Sequence, residues 1–356
     1  MKNICFLVGD LNRSGGTERV TTLIANKLSE REKYKISILS LTGGLAPFFS
    51  LKSDISLYSL YEEKKSFKTK LFGVIWNIRQ FVKSRNIDTL IVVDSISCIF
   101  TIPALYGLNV NHICWEHFNF KNNNGAKLRD FSRRLAAKYC TSIVTLTNKD
   151  MNYWKDGIKN INADLVCIYN PSPFQYNENI PTLKYKTVLS VGRLVNVKGY
   201  DLLIRAWEKV IQAYPDWILL IVGSGPEEEK LKQLAKDLMI EKSIIFPGHT
   251  NDVESYYKKS SFFCLSSRNE GLPMVLLEAQ SYNLPIVAFD CDTGPSDIVD
   301  HGLNGYLVEE RNYNELAYYL TKIIASNEEG FLNFSHNIDI GKFSINNIVT
   351  NWEEIL

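Results

Sequence analysis

Short runs of continuously apolar, β-branched residues alternate along this chain with longer amphipathic segments, and no other feature constrains its fold as much. In the first half the runs fall at residues 4–8, 35–41, 89–93, 112–115, 142–146 and 165–168. Strands that are apolar throughout, rather than at every second residue, must be covered on both faces, and the helices between them supply that cover. The pattern predicts a doubly wound parallel α/β sheet. Asn170-Pro171-Ser172-Pro173, the polar residues 175–179 and Pro181 then break it, which predicts a linker over 171–184. The alternation restarts at 187–191, 218–222, 243–246, 262–265, 285–289 and 305–308. Two doubly wound domains, 1–170 and 185–340, are therefore expected, since 356 residues exceed what one hydrophobic core usually serves. Ligands in such sheets bind beyond the carboxyl ends of the strands, so a cleft between the halves is expected.

The last residues, 341–356, carry Ile345, Ile348, Val349, Trp352, Ile355 and Leu356 at three-and-four spacing, which predicts a terminal helix packed back on the first domain. The seven cysteines are an odd number, widely spaced and without a C-x-x-C pair, so they are expected to be reduced core residues of a cytoplasmic protein. The opening apolar run is too short for the core of a signal peptide, and no stretch of 18 apolar residues predicts a membrane span. A formal net charge of +1 argues against a nucleic-acid partner.

The segment Glu270-Gly271-Leu272-Pro273-Met274-Val275-Leu276-Leu277-Glu278 follows a predicted strand and opens a helix, with Pro273 suited to the first helical position. A helix start offers unpaired N–H groups and a positive dipole end, which can hold a diphosphate. Glu278 falls about a turn and a half inside the helix, within reach of sugar hydroxyls at the same pocket.

This Glu-x7-Glu segment resembles the signature of the family 4 retaining glycosyltransferases, which have the GT-B fold of two Rossmann-like domains facing a central cleft. Gly192-Arg193-Leu194-Val195-Asn196-Val197-Lys198-Gly199, the turn Gly223-Ser224-Gly225-Pro226 and residues 302–308 extend the resemblance over nearly the whole chain. It implies that Arg193 and Lys198 contact the donor diphosphate, Glu270 the donor sugar and Glu278 the ribose. An Arg fork and a Lys point charge suit a departing nucleoside diphosphate without any metal or other cofactor.

Gly15 and Gly16, in Ser14-Gly15-Gly16-Thr17-Glu18-Arg19 ahead of a helix predicted over 20–28, resemble the family's N-terminal glycine loop, where a bare backbone approaches the donor phosphate or the acceptor. His117, in Trp115-Glu116-His117-Phe118-Asn119, resembles a position at the cleft edge near the donor sugar. Thr293 and Gly294 resemble the loop that borders that sugar. Gly248 and His249, in the segment 246–249, are expected to meet the donor base. Each also has a plain reading as a turn, cap or structural histidine.

Two patterns mislead. Gly223 to Pro226 lacks the third glycine of a dinucleotide fingerprint, and Glu227, Glu228 and Glu229 would repel a pyrophosphate there. Asp290-Cys291-Asp292 has the form of a metal-binding D-x-D, yet no metal is expected.

Lys64, Lys65, Lys68, Lys70, Arg79, Lys83 and Arg85 are interleaved with Phe67, Leu71, Phe72, Ile75, Trp76, Ile78 and Phe81, and Lys127, Arg129, Arg133, Arg134 and Lys138 follow beyond His117. Such faces either cover a sheet or lie on an anionic membrane. Family members with similar motifs extend bacterial surface polysaccharides such as O-antigen on a polyprenyl diphosphate. The resemblance thus implies transfer of a hexose or N-acetylhexosamine, from a UDP donor, to a lipid-linked oligosaccharide, at the inner face of the bacterial inner membrane. The readings that compete are an epimerase or hydrolase of nucleotide sugars on the same fold, and a sugar-nucleotide-binding protein without catalysis.

Overall fold

The computed structural model describes residues 1–62, 71–123, 125–176, 179–336 and 341–356. The chain falls into two compact units, one formed by residues 1–173 with 342–356 and the other by residues 174–341. Each has a single parallel sheet between helices.

The first sheet comprises β1 (Lys2–Val8), β2 (Tyr34–Ser40), β3 (Ser56–Ser59), β4 (Thr89–Val93), β5 (Asn111–Trp115), β6 (Ser142–Thr145) and β7 (Asp164–Cys167), in the order β3-β2-β1-β4-β5-β6-β7. The predicted runs are six of these seven strands. The missed strand, β3, has only four residues, serines at both ends and half-buried side chains, because it closes the sheet's edge. The helix after β1 spans Gly16–Ser29 and begins four residues before the expected start, since Gly16 to Arg19 wind into its first turn. The second sheet comprises β8 (Thr187–Val191), β9 (Ile218–Val222), β10 (Ile244–Gly248), β11 (Phe262–Leu265), β12 (Ile286–Phe289) and β13 (Gly305–Val308), in the order β10-β9-β8-β11-β12-β13. All six lie on predicted runs.

Strand order reverses between β1 and β4 in the first sheet and between β8 and β11 in the second. Helices leave such a switch point on opposite faces and open a crevice at the strands' carboxyl ends. The segments 192–199 and 266–273 both emerge there in the second sheet. Beneath them the helix Tyr200–Ala213 buries Leu203, Ile204, Ala206, Trp207 and Val210, and Trp207 Nε1 donates to Ser243 Oγ at 3.1 Å. One face of the helix thus packs on the second sheet.

Part of the segment 171–184 is packed rather than spacer-like. The Phe174 ring meets Tyr257 and Tyr282 edge-on at 6.3 and 5.5 Å, inside the second unit. The terminal helix, Ile345–Ile355, belongs to the first unit and buries Ile348, Val349 and Trp352. The Trp352 ring lies 4.9 Å from Trp115 at the end of β5.

The two basic stretches differ from expectation in part. Lys64, Lys65, Phe67, Lys68 and Lys70 lie outside the described residues. In the helix Leu71–Ser84, Val74, Ile78 and Val82 are buried, while Phe72 and Trp76 are exposed. Arg79 is not free for a membrane, because its Nη1 donates to the carbonyls of Ala104 and Tyr106 at 2.8 Å each. Arg129 and Arg133, on the helix Lys127–Tyr139, turn inward and are buried. Arg129 pairs with Asp94, and Arg133 Nε donates to Glu116 Oε2 at 2.8 Å. The buried Glu116 and the half-buried Asp94 draw them in, since an unpaired buried charge would cost several kcal/mol.

Candidate active site

The loop after β8 and the loop after β11 meet through one ion pair. Lys198 Nζ lies 2.7 Å from Glu270 Oε1, with both side chains largely shielded from solvent. The loop carrying Lys198 turns at Gly199 with φ +65, where a Cβ would sit 1.9 Å from the Ser266 carbonyl oxygen. Only glycine fits so close to another backbone. Ser266 Oγ in turn donates to the Lys198 carbonyl at 2.9 Å, and Arg268 forms a two-pronged pair with Asp201 at 2.8 and 2.7 Å. These bonds fix the two loops to each other before any ligand arrives.

Glu270 is bordered by the loop after β12. Thr293, fully buried, donates from Oγ1 to the Glu270 carbonyl at 2.6 Å. Gly294 has φ +98, and a Cβ there would lie 2.6 Å from the Gly271 carbonyl. Leu272 is buried and Gly271, Met274 and Val275 are partly exposed. The helix Met274–Ser281 begins one residue later than expected, with Pro273 as the extended flanking residue and no side chain capping its N-terminal amides. The helix Tyr200–Ala213 also starts without a side-chain cap, at Gly199. Both helix starts therefore offer backbone N–H groups toward the switch point.

Glu278 is buried in the fifth helical position, and Tyr257 donates its hydroxyl to Glu278 Oε2 at 2.7 Å. Tyr257 stacks on Tyr282 at 5.6 Å with planes 6° apart. Sequence reasoning missed Tyr257, Asp201 and Arg268, because they act over separations of 21 and 67 residues with no local motif.

Arg193 is exposed, and its side chain has no ion-pair partner among the described residues. Gly248 ends β10 with φ +82 in open space, and His249 beyond it is exposed. The glycines of the misleading turn are explained by packing. A Cβ on Gly223 or Gly225 would come within 2.0 Å of the Gly192 carbonyl or 2.3 Å of the Leu194 carbonyl. Asp290 and Asp292 belong to no group of three potential metal ligands among the described residues.

In the first unit, Gly15 and Gly16 stand at the start of the helix Gly16–Ser29, with Gly15 as an extended cap. A Cβ on Gly15 would lie 2.3 Å from Glu18 Oε2, so that carboxylate folds back over the helix start. His117 follows β5 and is shaped by Glu116, whose Oε1 accepts from the His117 and Phe118 amides at 3.1 Å each. Burial raises the proton affinity of Glu116, but Arg133 and Arg129 outweigh it and keep the carboxylate ionised below its ordinary range. The His117 ring lies 4.4 Å from Trp115, its Nε2 is buried without a hydrogen-bond partner among the described residues, and burial lowers its pKa to about 4. His117 is therefore a neutral imidazole at physiological pH.

The family model described as glycosyl transferases group 1 matches residues 174–337, which include Lys198, Glu270 and Glu278. An uncharacterized glycosyltransferase of Haemophilus influenzae is 40% identical over the whole of both chains. The chain belongs to the group 1 glycosyltransferases. The amylovoran biosynthesis glycosyltransferase AmsD of Erwinia amylovora is 30% identical over 92% of each chain. An N-acetyl-D-galactosaminyltransferase of Campylobacter jejuni, named for an undecaprenol-diphosphate-linked saccharide, is 27% identical over 93% of this glycosyltransferase and 90% of that protein. The solved apo structure of the lipopolysaccharide outer core galactosyltransferase WaaB covers 99% of this chain and 98% of its own, with a TM-score of 0.78 at 22% identity. The fold of this glycosyltransferase is GT-B.

Proposed function

We propose that this glycosyltransferase moves a hexose or N-acetylhexosamine from a nucleotide sugar, UDP-linked, to a hydroxyl of a polyprenyl-diphosphate-linked saccharide during bacterial surface polysaccharide assembly, retaining the anomeric configuration without a metal. The Lys198–Glu270 pair, set between two uncapped helix starts, carries this reading. A cation and two dipole ends converge where a leaving diphosphate gathers charge, and a carboxylate stands beside them for sugar hydroxyls.

In the proposed step the bond from the anomeric carbon to the diphosphate oxygen breaks first, through an oxocarbenium-like state. The acceptor oxygen bonds to the same face of that carbon, and its proton passes to the departing phosphate oxygen. Lys198 and Arg193 neutralise the diphosphate, Glu270 orients the sugar and Glu278 receives the ribose. Thr293 and Gly294 border the sugar, and Gly248 and His249 the base. His117, neutral and partly shielded, serves as a donor or acceptor of a hydrogen bond rather than as a strong base.

The lipid-linked acceptor is supported by the name of the Campylobacter jejuni relative and by the exposed aromatic face of the first unit. Phe72, Trp76, Tyr106 and Phe131 lie more than half exposed, Lys83, Arg134 and Lys138 are exposed too, and among the described residues no helix is long and apolar enough to cross a membrane. Aromatic and basic side chains together suit the cytoplasmic surface of an anionic inner membrane.

Incubating the protein and EDTA with a panel of nucleotide sugars and vesicles bearing polyprenyl-diphosphate saccharides tests the proposal. The expected result is one added hexose or N-acetylhexosamine by mass spectrometry, α-linked by NMR when the donor is α-linked. Sugar released to water, or isomerised on the nucleotide, would place the protein among hydrolases or epimerases.

A further inference from the structure

Three of the seven cysteines and one histidine, scattered over 43 positions, gather in the first unit. His112 stands on β5, and Cys114, two residues on, projects to the same face of that strand. Cys98 opens the helix Cys98–Leu105, and Cys140 closes the helix Lys127–Tyr139. All four side chains are buried. The sulfur atoms of Cys98 and Cys140 and a ring nitrogen of His112 lie within 4.8 Å of one another.

The imidazole is held in an orientation that suits ligation. His112 Nε2 lies 3.0 Å from Thr101 Oγ1, and Thr101 directs its own hydroxyl proton to the Ser97 carbonyl at 3.5 Å. The tautomer with its ring proton on Nε2 donates to Thr101 and leaves the lone pair on Nδ1. That lone pair faces Cys140 Sγ at 3.6 Å. The metal–sulfur and metal–nitrogen lengths of a tetrahedral zinc site put two such ligand atoms about 3.6 Å apart. An orienting hydroxyl behind a ligating histidine is the usual outer support of a metal ligand.

From this arrangement we infer that the first unit of this glycosyltransferase holds a structural zinc ion, bound by Cys98, Cys140 and His112 Nδ1. Thiolate and imidazole donors select zinc over magnesium, calcium or manganese, which want oxygen. Two thiolates and a dication sum to zero charge, which suits a core where a net charge would be costly. Binding exchanges the S–H protons of the ligating cysteines for the metal and releases them to water. The ion would tie the start of one helix and the end of another to the middle of the sheet, behind the loop that carries Glu116 and His117. It takes no part in sugar transfer and stands independently of the donor-site reading.

The test uses the full-length, untagged protein. Zinc is measured in native protein isolated from zinc-replete cells and washed with chelator, and denatured protein is refolded with equimolar cobalt as a spectroscopic probe. The expected results are about one zinc per chain, and thiolate-to-cobalt charge transfer with tetrahedral ligand-field bands. Cys98→Ser and Cys140→Ser should each lose about half of the charge-transfer intensity or more, and the double variant all of it, while Cys264→Ser, a buried cysteine of β11 in the other unit, should keep it. Native protein without zinc overturns the inference, as does cobalt charge transfer that is undiminished in Cys98→Ser or survives in the double variant. If the variants fail to fold, the metal content of the native protein still decides.

Discussion

Lys198 Nζ donates to Glu270 Oε1 at 2.7 Å across 72 residues of sequence, and this contact joins the two loops that leave the switch point of the second sheet. Glu270 pairs with the charge on Lys198 until an anion arrives. Replacing Lys198 with Ala removes the cation from a shielded site, so turnover should fall by about 10²-fold or more, as when one preorganised donor to a developing anion is lost. Glu270→Gln keeps the side chain's shape and hydrogen-bonding reach but not its charge. It should bind nucleoside diphosphate at least as well as the wild type while losing turnover. Weaker diphosphate binding in Glu270→Gln, measured by calorimetry, would contradict a role for Glu270 on the sugar.

Gly199 and Gly248 separate backbone conformation from backbone contact. Both have positive φ, +65 and +82, but a Cβ on Gly199 strikes the Ser266 carbonyl at 1.9 Å, whereas nothing lies within 4 Å of one on Gly248. Gly248→Ala should cost only the left-handed strain of about 1–2 kcal/mol. Gly199→Ala should cost more and should also weaken donor binding, because the loop bearing Lys198 must move. Urea unfolding of the two variants, with equal losses in both, would contradict the contact.

His117 bears on the pH dependence. Its folded pKa is lowered by burial from 6.5 to about 4. Between those values the unfolded chain binds a proton that the folded chain does not. Stability from this group is therefore complete above pH 6.5 and is lost as pH falls toward 4, at up to about 1.4 kcal/mol per unit. His117→Gln should unfold in urea with a flatter pH dependence over that window than the wild type. In NMR the His117 ring should titrate near 4. Titration at the ordinary value would show an imidazole open to water.

The exposed face of the first unit has its own test. Phe72 and Trp76 are one turn apart on the helix Leu71–Ser84, and 85% and 62% exposed. Replacing both with Ser should leave the folded state nearly unchanged, since surface substitutions cost little. It should reduce flotation with anionic vesicles several-fold, as apolar anchors to the interface are removed. Equal flotation of variant and wild type would remove this face from membrane contact.

Legibility from sequence followed the physics of each element. Twelve of the thirteen strands lie on apolar runs long enough to be buried on both faces, and only the edge strand Ser56–Ser59, half exposed and flanked by serines, escaped notice. Glu270, Lys198 and Gly199 were legible because each sits in a local motif that the chain's own loops require. Tyr257, Asp201 and Arg268 were not, since a hydroxyl or ion pair formed between distant loops leaves no mark on its neighbours in sequence. The same reason hid the inward turn of Arg129 and Arg133, whose partners Asp94 and Glu116 end other strands. The cysteines were legible as buried, but the gathering of Cys98, Cys140 and His112 depends on how two helices and a strand converge.

Calorimetric titration of UDP, in EDTA, into the wild type, Lys198→Ala and Glu278→Ala tests the donor site most directly. The expected result is stoichiometric binding by the wild type that weakens at least tenfold in each variant, the loss of about 1.4 kcal/mol or more for a charged hydrogen-bonding partner. Equal binding by all three proteins, with their folds intact, would contradict a nucleotide site built on Lys198 and Glu278.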